Sequence, residues 1–150
     1  MTLSPDQLAG VVDLFGELTP AELSRAREEL GYRRGEPIAE ADINRAVREY
    51  ALVPYDRDGD RRIAVGPAAF PTLPDGGEDL PHILDIESRT PDRDAVAAAA
   101  LERFHEERLL ALRVRDTEEI ARLIDVSYDI ESWADRSLAS VRDRLDEITR

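Results

Sequence analysis

The side chains best suited to chemistry gather in two short stretches, Asn44-Arg45 with Arg48, and the run Asp56-Arg57-Asp58-Gly59-Asp60-Arg61-Arg62. Arginine and asparagine make forked hydrogen bonds to guanine and adenine edges, and arginine also grips phosphate. Asn44, Arg45, Arg48, Arg57, Arg61 and Arg62 are therefore the candidate nucleic-acid-binding residues, with DNA as the expected partner. Acidic residues are interleaved with them: Glu40, Asp42 and Glu49 beside the first group, three aspartates within the second. Mixed charge weakens the phosphate attraction that supplies most affinity. The competing expectation is a surface for a protein partner or a homodimer.

Metal and catalytic chemistry fare less well. Asp56, Asp58 and Asp60 alternate as the first ligands of a calcium loop would, but Arg61 and Pro67 stand where such a loop needs glycine and a closing glutamate. Asp-Gly between two apolar runs is instead a strong hairpin-turn signal. His82 has Asp79 and Asp85 three residues to either side, so a helical turn would bring the three together as a metal site. With 33 acidic residues in the chain, a carboxylate near a histidine carries little weight, and no metal ligand is assigned. The other histidine, His105, lies in a different element. No lysine occurs, which removes a Walker-type phosphate loop and a Schiff-base amine. No cysteine occurs, which removes disulfides and thiol nucleophiles. There is neither a Gly-x-Ser-x-Gly elbow nor a Gly-x-Gly-x-x-Gly turn. The expectation is a protein that is not an enzyme, with no catalytic residue and no cofactor.

The elements that must position these residues can be read in order. Ser4-Pro5-Asp6-Gln7 and Thr19-Pro20-Ala21-Glu22 each combine an N-cap, a proline at the first helical position and a capping-box partner. The first opens a helix with Leu8, Val11, Val12, Leu14 and Phe15, closed by Gly16; the second opens one with Leu23, Ala26 and Leu30, ending around Gly31. A third helix over about 39–50 carries Ile43, Val47 and Tyr50 on one side. Two apolar runs, 51–55 and 63–65, then flank the Asp-Gly turn as a hairpin. Residues 66–77 are too rich in proline and glycine for regular structure, and Phe70 and Leu73 are expected to pack back on the core. A long helix over about 92–113 follows, with Val96, Ala100, Leu101, Phe104 and Leu112 on one face. Another begins at Asp116-Thr117-Glu118-Glu119 and carries Ile120, Leu123 and Ile124. Leu138, Val141, Leu145 and Ile148 recur at helical spacing near the end, and Tyr128 and Trp133 are expected in a C-terminal core cluster.

Helices followed directly by a helix and hairpin make residues 4–74 similar to a winged-helix domain, in which the third helix enters the major groove and the hairpin meets the backbone or minor groove. The expected fold is mainly α with one small β-hairpin: a winged-helix-like unit over 1–74, a connector over 75–91, and a helical segment over 92–150 packed on the first unit. Nearly the whole chain, and above all Leu3 to Gly16 and Phe70 to Gly76 running on through Glu78 to Asp85, resembles an uncharacterised haloarchaeal family of unknown function. That resemblance implies a halophilic source and supplies no activity.

Composition favours the same expectation over the alternative, an ordinary acidic protein of a GC-rich genome, in which arginine codons also displace lysine. Net charge is −13, and all 20 basic residues are arginine. At about 1 M salt the Debye length is near 3 Å, so such a charge costs little in self-repulsion. The excess is uneven: 13 acidic residues face 9 basic ones up to Pro74, and 20 face 11 from Asp75 onward. The N-terminus shows no basic segment followed by an apolar stretch, and the longest apolar run, Ala95 to Leu101, is far short of a membrane span. A cytoplasmic protein without a membrane segment is expected.

Overall fold

Both N-terminal helices begin as their caps dictate. Ser4 Oγ accepts from the Gln7 amide while Gln7 Oε1 accepts from the Ser4 amide, at 3.1 and 2.9 Å, opening α1 (Pro5–Phe15). Thr19 and Glu22 exchange the same pair of bonds to open α2 (Pro20–Arg34). In this computed structural model, residues 2–134 and 137–149 are described, and the chain divides into two compact units, Met1–Val96 and Ala97–Arg150.

In the first unit α2 runs a turn past Gly31 and stops at Gly35, whose φ of +74° is the left-handed cap. Gly31 is small for another reason. A Cβ there would lie 2.9 Å from the Glu36 carbonyl oxygen and 3.2 Å from Pro37 Cα, so glycine lets the chain fold back against the helix. The third helix, α3 (Glu40–Arg48), has no side-chain N-cap bond. Its charges suit the helix dipole, with Glu40 and Asp42 in the first turn and Arg45 and Arg48 in the last. Asp42 also accepts from the Leu3 amide at 2.9 Å, anchoring the start of the chain. Tyr50 lies beyond the helix end, fully buried, with a φ of +62°.

The hairpin belongs to a larger sheet. Strands β2 (Leu52–Arg57) and β3 (Asp60–Val65) meet through Asp58-Gly59, both at positive φ as a type I′ turn requires. The two-residue strand β1 (Glu17–Leu18) pairs with β3, opposite Ala64 and Ile63. All pairs are antiparallel, in the order β1-β3-β2. The expectation of a lone hairpin is thus corrected to a three-stranded sheet; two residues are too few to show strand alternation.

Leu8, Val11, Val12 and Phe15 of α1, Leu18 of β1, Leu23 and Leu30 of α2, and Leu52 and Ile63 of the sheet form one buried cluster. Each such side chain contributes about 1.5–3 kcal/mol. The segment after β3 packs Ala69 against this core and is tied to Asp6 by two backbone amides. Thr72 donates to the Asp6 carbonyl at 3.1 Å, and the Phe70 amide donates to the Asp6 carboxylate at 3.0 Å. Phe70 and Leu73 themselves point to solvent, 76% and 45% exposed, against the expectation that they pack inward. A 3-10 turn (Gly77–Asp79) and the short helix α4 (Leu80–Ile83) interrupt the connector, with Leu80 buried.

The second unit comprises most of α5 (Arg93–Val114) together with α6 (Thr117–Ala134) and α7 (Ala139–Thr149). Ala100, Leu101, Phe104 and Ala111 of α5, Ile120, Leu123, Val126 and Ile130 of α6, and Leu138 and Leu145 near and in α7 are buried. Leu112 and Val141 are only half-buried. Arg122 joins α6 to α5 by pairing with Glu107 at 2.7 Å while also holding Glu119. Arg142 of α7 pairs with Glu131 of α6 at 2.6 Å and stacks its guanidinium 4.0 Å from the Tyr128 ring. Tyr128 is therefore a surface residue, 55% exposed, and not part of a core cluster. Among the described residues, no helix is long and apolar enough to cross a membrane.

Candidate functional site

Strand alternation decides which of the candidate arginines remain available. In the β2–β3 register Tyr55 faces Arg62 and Asp56 faces Arg61, while β1 sets Glu17 opposite Ala64. Successive side chains point to opposite faces of a sheet. Glu17, Tyr55, Arg57 and Arg62 therefore share one face, and Asp56 and Arg61 share the other.

On the first face Glu17 is fully buried. Its Oε1 accepts from the Tyr55 hydroxyl and from Arg57 Nη1, the latter at 3.0 Å. Its Oε2 lies 3.0 Å from Arg62 Nε, a charge contact without an aligned hydrogen bond. A carboxylate is tolerated at this depth only because opposite charge and donors surround it. Burial, and then the hydrogen bond to Glu17, push the Tyr55 hydroxyl above its ordinary pKa, so it stays a donor. The cluster also gathers the strap that leads to α5. Arg57 Nη1 donates to the Thr90 carbonyl at 2.8 Å, the Asp92 amide donates to the Tyr55 oxygen at 3.3 Å, and the Arg89 amide donates to the Phe15 carbonyl at 2.8 Å. Arg89 grips both oxygens of Glu22, at 2.6 and 3.0 Å, and this pairing holds the Glu22 carboxyl below its ordinary range. A cleft of about 360 Å³ opens over these groups, lined by Glu17, Arg57, Asp58, Asp60, Arg62, Arg89 and Thr90.

The six sequence candidates thus separate. Arg57 and Arg62 are turned onto Glu17. Arg61 is exposed and pairs with Asp56 at 3.3 Å. Asn44, Arg45 and Arg48 stand exposed on α3, with Arg45 Nε 3.5 Å from Glu49. Exposed Glu40 and Glu49 share that helix or its end, and exposed Asp56, Asp58 and Asp60 share the hairpin.

The histidines do not assemble a metal site. Asp79 is paired with Arg33 at 3.2 Å, His82 is exposed, and no group of three or more potential metal-binding side chains gathers among the described residues. Burial, with Arg108 adding to it, lowers the pKa of His105, whose ring meets Phe104 edge-on.

Sequence reading passes over Glu17, Tyr55, Arg89 and Thr90. Parity along the hairpin is enough to separate Arg61 from Arg62. Nothing local links them to Glu17, because the bond depends on β1 pairing with a strand more than 40 residues later.

The fold and this cluster define a mainly helical protein with a small antiparallel sheet, stapled by a buried carboxylate among arginines. Over residues 6–150 the chain matches the family of unknown function DUF7109, and it belongs to that family. No curated protein and no solved structure matches it.

Proposed function

We propose that the first unit is a winged-helix module that presents α3 and the hairpin to a protein partner, as a non-enzymatic regulatory protein of a salt-rich cytoplasm. The winged-helix reading is supported by the element order α1-β1-α2-α3-β2-β3 and the sheet order β1-β3-β2. The preference for a protein partner rests on one observation: Arg57 and Arg62, two of the three hairpin arginines expected to grip phosphate, are paired with the buried Glu17. What α3 and the hairpin then present is a balanced to acidic surface, which repels a phosphate backbone and suits a polar protein interface. The salt-rich setting is supported by the net charge of −13 and the absence of lysine.

Nucleic acid is the second reading, favoured by the exposed row Asn44, Arg45 and Arg48 on α3. Because the chain has no cysteine, Asn44→Cys creates a single attachment point for a photoreactive group on that helix. Irradiation in extract of the source cells, at a salt where circular dichroism shows a folded chain, is expected to yield an adduct removed by protease and resistant to nuclease. A nuclease-sensitive adduct would replace the proposal with the nucleic-acid reading, and the absence of any adduct would sink both. On the nucleic-acid reading, Arg45→Ala with Arg48→Ala should weaken duplex binding and reduce the salt slope by about one unit for each phosphate no longer neutralised.

A further inference from the structure

The second unit leaves one helix face without cover. Leu109, Leu110 and Val114 of α5 are 59–61% exposed, whereas Leu101, Phe104 and Ala111 of the same helix are buried. At 100° per residue the buried residues point to one side, and Glu102, Glu106, Leu109, Leu110 and Arg113 line the other. All five are exposed. Scattered exposed leucines need no explanation, but two adjacent ones at nearly the same height, about 100° apart around the axis, flank the uncovered face on both sides, with Val114 one turn beyond Leu110.

The charges around those leucines are arranged antisymmetrically. Glu106 precedes Leu109 by three residues and Arg113 follows Leu110 by three, so each charge lies about 5 Å along the axis from the midpoint of the leucine pair. Antiparallel pairing of two such helices about a twofold axis at that midpoint sets Leu109 beside the other chain's Leu109 on one side of the seam and Leu110 beside its Leu110 on the other. It also brings each Glu106 opposite the other chain's Arg113. An isologous contact requires this reciprocity, since residue i meets j and j meets i. Parallel pairing would instead set Glu106 on Glu106 and Arg113 on Arg113, which is repulsive. The neighbouring Glu107 is already engaged within its own chain, with Arg103 and Arg122, at 2.7 Å each.

We infer that α5 is a self-association surface, and that a second copy of this chain covers Leu109 and Leu110 by antiparallel helix pairing, with two Glu106–Arg113 bridges flanking the apolar centre. This surface lies wholly in the second unit and pairs in the same way whatever α3 binds.

The full chain is tested by analytical ultracentrifugation at about 2 M potassium chloride, where screening leaves the apolar contact dominant, and again at the lowest salt that keeps it folded. Wild type is expected to sediment as two chains. Leu109→Glu with Leu110→Glu should sediment as one chain with unchanged circular dichroism, because both side chains are exposed in the single chain. Glu106→Arg and Arg113→Glu should each weaken association by at least about tenfold at the lower salt, and the double exchange should restore it, a recovery that a merely structural role would not produce. A wild-type monomer at all concentrations would overturn the inference. So would a dimer that the leucine substitutions leave intact, or charge exchanges whose losses simply add.

Discussion

At the scale of single residues, Arg61 and Arg62 are neighbours in sequence and opposites in role. Arg62 sits 3.0 Å from a fully buried carboxylate, whereas Arg61 meets the exposed Asp56 in solvent. Removing one partner of a buried pair leaves an uncompensated charge; here Tyr55 and Arg57 still hold Glu17, so Arg62→Ala should cost toward the low end of the usual range, about 3 kcal/mol. Arg61→Ala should stay within about 0.5 kcal/mol. Urea unfolding of the two variants side by side checks this, and equal losses would refute the assignment of Arg62 to the interior. Tyr55→Phe removes one donor and should cost about 1–3 kcal/mol by the same measurement. The Glu22–Arg89 fork carries a pH prediction. Its folded-state pKa lies below the ordinary 4.5, so its stabilisation is present above that value and disappears as pH falls through the lower folded-state pKa. Glu22→Gln should therefore lower the melting temperature at neutral pH and flatten its decline on acidification. A variant with the same acid profile as wild type would exclude the pair as a contributor.

At the scale of elements, Gly10 is an instructive case in the middle of α1. In an open helix Gly→Ala gains about 1 kcal/mol. Here an added Cβ would lie 2.1 Å from the Thr72 carbonyl oxygen, a backbone atom that cannot swing aside. Gly10→Ala should thus destabilise by about 1–3 kcal/mol, as overpacking does; a stabilised variant would mean that the connector does not press on α1. Phe15, fully buried in the first unit, and Leu145, fully buried in the second, should cost about 3–5 and 2–5 kcal/mol on change to alanine. Thermal unfolding reads both.

For the whole molecule, 33 carboxylates are offset by 20 arginines, and several of those arginines are committed to pairs inside the fold. Raising potassium chloride from about 0.1 M to about 2 M should screen the remaining repulsion and raise the melting temperature. An equal or lower midpoint at the higher salt would remove the argument for a salt-rich setting.

Sequence alone determined the features whose causes are local. The Ser4 and Thr19 capping boxes, the Asp58-Gly59 turn and the three-and-four spacing of Leu138, Val141, Leu145 and Ile148 each act within a few residues of chain, so their outcome is written in that chain. Tertiary structure decided whatever depends on a distant partner. Gly31 reads as a helix stop and is in fact a point of close approach for Glu36 and Pro37. Phe70 and Leu73 read as core and face solvent, because the connector is held to α1 by backbone bonds from Thr72 and Phe70 to Asp6 instead. β1 has no pattern of its own and exists because β3 offers an edge to pair with. From that pairing follows the burial of Glu17, and with it the engagement of Arg57 and Arg62 as its counter-charges: a charge goes inside a protein only where the folded chain has already assembled its partners.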